Sequence, residues 1–152
     1  MSTFFSASFF VQHLTALLGT LGFAVLFKVR ARHLPLAGAC GLFTWLVYYT
    51  VTFFGGTLFL AAFLASAVAT VFAECCARVR LAPAPVFLVP GTIPIVPGSD
   101  LYYTMRYLLF GDFDVFANYL MRALLVGIGI GGGIVAVSVA VSLLPKRKNK
   151  LK

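Results

Sequence analysis

Charged side chains are scarce in this sequence, and acidic ones are nearly absent. Only 11% of its 152 residues are charged, and four of these are acidic, whereas a soluble domain usually carries about 25% charged residues. Hydrophobic residues make up 61% of the chain, and its mean hydropathy is +1.01. Because the chain has too few polar residues to cover a soluble core, we predict an all-α polytopic membrane protein, with residues 1–152 forming a single transmembrane domain.

Cysteines are also few, and the basic residues form no extended patch. The three cysteines, of which Cys75 and Cys76 are adjacent, suggest neither a disulfide framework nor a metal site. The net charge of +8 comes from short basic clusters beside hydrophobic runs. This placement is typical of the cytoplasmic flanks of membrane helices and argues against nucleic-acid binding. The N-terminus lacks the basic start of a signal peptide, so we expect the first apolar run to remain in the mature protein.

Five hydrophobic runs account for most of the chain. The uncharged stretch at residues 34–73 must form two helices, because a single helix of that length would measure about 60 Å. Its turn is predicted at Gly55 and Gly56. The predicted spans cover residues 4–27, 34–54, 57–73, 86–110 and 115–144, followed by a basic tail at residues 145–152.

Basic clusters follow the first, third and fifth runs, at residues 28–32, 78–80 and 146–152. Lys and Arg near the ends of membrane spans remain on the cytoplasmic side. Five spans therefore place the N-terminus outside and the C-terminus in the cytoplasm, in a multi-pass protein of the cell (inner or plasma) membrane. A four-span alternative, with a re-entrant fourth segment, would put the last basic cluster on the wrong side.

Small residues recur at helical spacing in two of the predicted spans. In the third span they fall at every fourth position, and in the fifth the run "GIGIGGG" contains two overlapping pairs of glycines. Such faces allow close helix packing, either within this chain or against a second subunit in an oligomer. The positions are Ala61, Ala65, Ala69 and Ala73 in the third span, and Gly127, Gly129, Gly131 and Gly133 in the fifth.

The fourth run contains the stretch "VFLVPGTIPIVPGSD", residues 86–100, which is apolar but rich in helix breakers. Pro90, Pro94 and Pro97 each lack a backbone donor, so they predict a span broken near its middle with unpaired carbonyls. Unpaired backbone groups at membrane depth are tolerated only inside protein or beside a cavity, and many transporters build substrate sites from such breaks. A plain proline kink is the alternative. The carbonyls expected to be free lie near Val86, Pro90 and Ile93.

A second half-helix is predicted after the break, with Ser99 as its N-cap and Asp100 in its first turn. Asp100 is the acidic residue farthest from the predicted membrane boundaries. An ionisable group at this depth is by default a functional hypothesis. Asp100 could bind a substrate ammonium group, carry a coupled proton, or simply cap the helix.

The remaining deep polar residues each have two interpretations. Arg106 and Arg122 could pair with Asp112 or Asp114, or one arginine could bind a substrate carboxylate with its forked guanidinium. His13 could be a second proton carrier or a hydrogen-bonded packing residue. The aromatic run "WLVYYT", residues 45–50, fits either an interfacial belt or a cavity wall.

Several segments resemble the threonine/serine exporter family, and within it the small split subunit, which is similar to the small component of the two-part succinate exporter. They are "GFAVLFKVRARHL", "PVFLVPGTIPIVPGSDLYYTM" and the basic tail after a helix of small residues. The resemblance implies proton-coupled export of small amino acids or dicarboxylates, together with a larger five-span partner that carries a cytoplasmic domain. It carries over Pro94, Pro97 and Gly98, whereas Asp100 rests on the physical argument.

We therefore predict an exporter subunit, with no cofactor and no metal. An enzyme is disfavoured, because no pair of acids, histidine cluster or nucleophile with a base recurs at working spacing. A structural subunit that only stabilises its partner is the alternative. The predicted proton-coupling candidates are Asp100 and His13. The predicted substrate-binding residues are Pro94, Pro97, Gly98, Ser99, Asp100, Arg106 and Arg122.

Overall fold

A computed structural model describes residues 7–143, and every regular element in that range is a helix. The start of the first predicted span, the last residue of the fifth and the basic tail at residues 145–152 lie outside the described residues. The six α-helices are α1 (Ala7–Leu26), α2 (Leu34–Phe53), α3 (Leu58–Arg80), α4 (Pro85–Thr92), α5 (Gly98–Phe110) and α6 (Phe113–Leu143). Two short 3₁₀ helices, Ala31–His33 and Ile93–Ile95, precede α2 and follow α4.

Four of the helical segments are long and apolar enough to cross a membrane: Ser8–Leu26, Ala31–Phe53, Leu58–Arg80 and Phe113–Leu143. They correspond to the first, second, third and fifth predicted spans. The fourth predicted span is divided between α4, the second 3₁₀ helix and α5. The prediction that the third helix ends at residue 73 is wrong, because no helix breaker follows Ala73 and the helix continues to Arg80.

Neighbouring helices in the first half of the chain are antiparallel. The ring of Phe9, near the start of α1, contacts that of Tyr49, near the end of α2, with 5.4 Å between centroids. Farther along, Gly41 lies against Thr20. The predicted turn between α2 and α3 is confirmed, and Gly55 takes a left-handed φ of 80° there, a conformation that glycine adopts without strain.

Helices α3 and α6 run in the same direction and pack closely. The backbone of Gly129 approaches Phe59 and Ala62, and that of Gly133 approaches Phe63 and Ser66. The predicted small face of α3 is confirmed, since its alanines at every fourth position are fully buried. The two glycine pairs of α6 lie on different sides of the helix. Gly129 and Gly133 pack against α3, whereas Gly127 and Gly131 are exposed and have no described atom within 4 Å of the point where a Cβ would lie. Only one of the two glycine pairs is therefore used within the described part of this chain.

Helix α4 is packed among the first three helices. Phe87 is fully buried and forms a cluster with Ala73 and Cys76 of α3. One turn later Gly91 lies against Cys40 of α2, where a larger residue would clash with the cysteine. Because α4 is buried in this way, the segment that follows it begins inside the helix bundle.

The outer surface of the bundle is strongly apolar. Large side chains there, such as Phe54, Leu109 and Phe110, are each more than three-quarters exposed. Soluble proteins rarely leave so much contiguous apolar surface in water. The exposed surface is therefore suited to lipid, and the chain is a membrane protein by the structure as well as by composition.

Candidate functional site

The chain breaks its helical path between α4 and α5, as the prolines predict. Pro90 lies inside α4 without ending it, whereas the backbone becomes extended at Val96, immediately before Pro97. The prediction of free carbonyls at Pro90 and Ile93 is wrong. The amide of Ile93 donates to the Pro90 carbonyl, and the amide of Val96 donates to the Ile93 carbonyl. Tightening into a 3₁₀ turn therefore replaces the two bonds that Pro94 and Pro97 cannot make.

Helix α5 restarts one residue after Pro97, and the proline occupies the N-cap position. The prediction of Ser99 as the N-cap is therefore wrong, since Ser99 is already inside the helix and is exposed. Proline fixes φ close to a helical value and has no amide of its own to satisfy, so the helix can start directly after it. The amide of Gly98 donates to the Val96 carbonyl at 2.8 Å. The placement of Asp100 in the first turn is confirmed.

Asp100 is buried and forms an ion pair with Arg122 of α6. The Nε of Arg122 lies 3.5 Å from Oδ1 of Asp100, and the side chains are 54% and 13% exposed, respectively. This distance is longer than the roughly 2.7–2.9 Å of a charge-assisted hydrogen bond. The carboxylate of Asp100 is thus held inside the bundle, whereas the Arg122 side chain is about half exposed and its guanidinium carbon lies 5.9 Å from the centroid of the Tyr119 ring.

The sequence did not predict this pairing. Asp112 instead caps the start of α6, where its Oδ1 accepts a hydrogen bond from the Val115 amide at 3.3 Å. Asp114 is exposed in the first turn of α6. The expected pairing of Arg122 with Asp112 or Asp114 is therefore wrong. Arg106 is exposed between the rings of Tyr107 and Phe110, at 6.0 and 5.9 Å from their centroids, and forms no ion pair within residues 7–143.

A stack of tyrosines holds α5 and α6 together beside the ion pair. The ring of Tyr119 lies 5.0 Å from that of Tyr103 and 5.8 Å from that of Tyr107, and both pairs are nearly parallel. The turn between the two helices uses Gly111, with a left-handed φ of 76°. This tight hairpin fixes the register that brings Asp100 opposite Arg122.

Tyr48 and Trp45 of α2 form an aromatic pair beside a small cavity. Their rings stack with 5.6 Å between centroids. Trp45 in turn lines a cavity of about 220 Å³ between α1, α2 and the broken segment. The residues that line this cavity are Gln12, Thr15, Ala16, Trp45 and Pro94.

Two buried nitrogens in this region have no hydrogen-bond partner among the described residues, the Nε1 of Trp45 and the Nε2 of His13. The Nδ1 of His13 lies 2.7 Å from the Phe9 carbonyl, which can only accept, so this nitrogen carries the proton and Nε2 of the neutral ring is an acceptor. A donor and an acceptor are thus both unsatisfied. Buried polar atoms are nearly always paired, so the unpaired donor of Trp45, a residue that lines the cavity, indicates room for a polar ligand or water.

The predicted residues are only partly brought together. Asp100 and Arg122 meet directly, and Pro94 lines the adjacent cavity. Pro97, Gly98 and Ser99 form the link and start of α5, where Gly98 and Ser99 are exposed. Sequence reasoning missed Gln12 and Thr15, for which the polar residues of the first apolar run were the available signal. Trp45 and Tyr48 belong to the aromatic run at residues 45–50, and its interpretation as a cavity wall holds for Trp45.

A helix broken inside a bundle of apolar helices, as seen here beside the Asp100–Arg122 ion pair, is a feature of many secondary transporters. The family model described as "Threonine/Serine exporter, ThrE" matches residues 12–140. The chain therefore belongs to the threonine/serine exporter family, which confirms the resemblance at family level and indicates a transport role. No protein of curated function and no solved structure shows a significant match to the chain.

Proposed function

We propose that this chain is a subunit of a proton-coupled exporter of small amino acids, with the Asp100–Arg122 pair at its substrate site. The observation that carries the proposal is the half-exposed side chain of Arg122, whose Nε lies 3.5 Å from a buried carboxylate at the start of a helix that follows a break. A bound α-amino acid offers one charge to each member of this pair. Its carboxylate suits the fork of Arg122, and its ammonium group suits Asp100.

The pair also distinguishes the two substrate classes that the family resemblance implies. A dicarboxylate such as succinate has no cation for Asp100, and a second carboxylate beside it would be repelled unless Asp100 took up a proton. Serine and threonine have both charges and a hydroxyl group, which the unpaired nitrogens near the cavity could bind. The arrangement therefore favours threonine and serine over succinate.

Proton coupling is assigned to the same region. Asp100 is the buried acid, and His13 has an acceptor nitrogen without a partner among the described residues, on a ring 5.8 Å from that of Tyr49. A carboxylate that must be ionised to bind an ammonium group can exchange that group for a proton, which is the requirement for antiport. His13 would pass the proton across the cavity. Pro94, Pro97 and Gly98 would shape the break that holds Asp100 in place.

The proposed topology has five spans, with α4 and α5 together forming the fourth, an outside N-terminus and a cytoplasmic C-terminus in the plasma membrane. The helix directions support it, since α3 and α6 are parallel and therefore separated by one return crossing. Cysteine labelling tests it in a cysteine-free chain. A cysteine at Asp112 should react with an impermeant maleimide from outside, and a cysteine at Ala82 only from the cytoplasm. Labelling of both positions from one side contradicts five spans.

We assign a larger five-span subunit with a cytoplasmic domain as the partner. The unused glycine pair of Gly127 and Gly131 gives α6 a smooth exposed face, on which a helix of the partner could pack closely. The exporter should need both chains. Cells that export labelled serine only when this chain and its partner are both present support the proposal. Export by the partner alone would favour the alternative of a non-transporting assembly subunit.

The arginine assignment has a matched control. Arg122→Gln should raise the KM for serine about 10- to 100-fold, the effect expected for losing a hydrogen-bonded charge contact. Arg106→Gln removes the same charge from the neighbouring helix, where the arginine lies by the rings of Tyr107 and Phe110 and has no ion pair within residues 7–143. It should leave KM unchanged. Equal effects of the two substitutions on KM would remove Arg122 from the substrate site.

A further inference from the structure

A second, larger cavity lies at the opposite end of the bundle, where α1 and α3 end and α2 and α4 begin. Its volume is about 550 Å³. One part of its wall is basic and comprises Lys28, Arg30, Arg32 and His33. The other part is apolar and comprises Phe27, Leu81, Val86 and Val89. The cavity is therefore amphipathic, and none of its residues belongs to the candidate site around Asp100.

The charge of this cavity is uncompensated. None of the described residues that line it is acidic, and neither arginine forms an ion pair within residues 7–143. A further cation, Arg80, lies within electrostatic range of His33. Several positive groups gathered without an acidic partner favour an anion at their centre.

His33 adds a second and independent indication. Its side chain lines the cavity, yet the residue is only 3% exposed. The Nε of Arg32, which can only donate, lies 3.0 Å from Nε2 of His33, so the proton of the neutral ring is on Nδ1. This Nδ1 donor is buried and has no partner among the described residues. The ring also packs edge-on against Phe87, with 5.5 Å between centroids. A fixed, buried donor beside arginines is suited to an oxygen of an anionic group.

The apolar part of the wall indicates what carries the anion. Leu81 is 91% exposed and Phe27 and Val89 are each nearly half exposed, so the mouth of the cavity opens onto the lipid-facing surface. A small soluble anion would leave these side chains without a partner. A phospholipid would place its acyl chains over them and its phosphate among the basic groups. Basic pockets between membrane helices on the cytoplasmic side bind anionic headgroups in this manner.

We infer that this cavity is a binding site for an anionic phospholipid, with the phosphate held by Arg30, Arg32 and the Nδ1 donor of His33. The site is separate from the substrate site at Asp100 and does not depend on which substrate is exported. Its role would be to anchor the ends of α1 and α3 and the starts of α2 and α4 at the headgroup layer.

Lipid binding to the full-length chain in detergent tests the inference, with native mass spectrometry as the readout. Phosphatidylglycerol should bind at least tenfold more tightly than phosphatidylcholine. Replacing Arg30 or Arg32 by Gln should weaken phosphatidylglycerol binding about fivefold each, as expected for one basic residue near a lipid headgroup. The matched control is Arg78→Gln, which removes an exposed charge from the same end of α3 outside the cavity and should change binding less than twofold.

The histidine is tested separately. His33→Asn keeps a donor close to the Nδ1 position and should retain most of the phosphatidylglycerol binding, whereas His33→Phe should lower it. Arg32→Gln also removes the contact with His33 and could lower the melting temperature of the chain in phosphatidylcholine. In that case Arg30→Gln and Lys28→Gln test the effect of removing one positive charge without changing the contact with His33. Equal binding of the two lipids, or an equal loss in Arg78→Gln, overturns the inference. Displacement of the lipid by equimolar succinate or inorganic phosphate also overturns it, because the site would then hold a small soluble anion.

Discussion

The contact between α3 and α6 can be tested with two substitutions on one helix. Gly133 lies on the buried side of α6, where a Cβ atom would meet the Phe63 carbonyl and the Ser66 hydroxyl. Gly131 lies on the exposed side and has no described atom within 4 Å of that position. Replacing each glycine by alanine therefore adds the same methyl group to the same helix, once against backbone and once against open surface.

The magnitude follows from the geometry. Alanine gains about 1 kcal/mol over glycine by helix propensity, but this gain cancels in the difference between the two variants. The remaining term is overpacking, which costs about 1–3 kcal/mol. Since the obstructing atom at Gly133 is a backbone oxygen, it can move only if the two helices separate. We expect Gly133→Ala to lower the free energy of unfolding by about 2–3 kcal/mol relative to Gly131→Ala.

The free energy of unfolding of both variants can be measured by steric trapping in lipid bicelles. Gly129→Ala provides an intermediate case, because its Cβ would lie 2.8 Å from the Phe59 carbonyl and 3.0 Å from the Ala62 Cβ. The expected order of stability is Gly131→Ala, then Gly129→Ala, then Gly133→Ala. Equal stability of the Gly131 and Gly133 variants would refute the close parallel packing of α3 and α6.

Two further predictions concern α4 and the cavity beside it. A Cβ at Gly91 would clash with the Cys40 side chain, so Gly91→Ala should destabilise the chain by about 1–3 kcal/mol, and adding Cys40→Ala should recover part of this loss in the same unfolding measurement. Trp45→Phe keeps an aromatic ring at the cavity but removes the unpaired Nε1 donor. We expect this substitution to leave the melting temperature unchanged and to weaken serine binding, measured as a higher KM in a transport assay. A lower melting temperature with unchanged affinity would make Trp45 a packing residue only.

The sequence predicted the elements that depend on local chemistry. The uncharged stretch at residues 34–73 could be divided at Gly55 and Gly56 because glycine adopts the left-handed turn there. The prolines located the break before Gly98, and the alanine spacing of α3 identified its buried face. The end of α3 was placed too early, since a basic flank does not itself stop a helix, and α3 continues to Arg80.

The parts that depend on distant contacts could not be predicted. Asp100 and Arg122 meet because a tight turn at Gly111 and the stacked tyrosines set the register of α5 against α6. No sequence feature near Asp100 or near Arg122 indicates that the two residues are in contact. The carbonyls freed by Pro94 and Pro97 were expected to build the site, but the adjacent amides take them up in a 3₁₀ turn. The carbonyls of Pro90 and Ile93 therefore do not supply free polar groups at the break.

The most direct test is serine export driven by a pH gradient, with Asp100→Asn compared against Asp114→Asn. Both substitutions remove one acid from the α5–α6 hairpin, but Asp100 is buried beside Arg122 and Asp114 is exposed at the start of α6. Measured in cells that contain the partner, Asp100→Asn should abolish the dependence of labelled serine export on the pH gradient, and Asp114→Asn should leave it intact. Undiminished, pH-driven export by Asp100→Asn would contradict the proposed site.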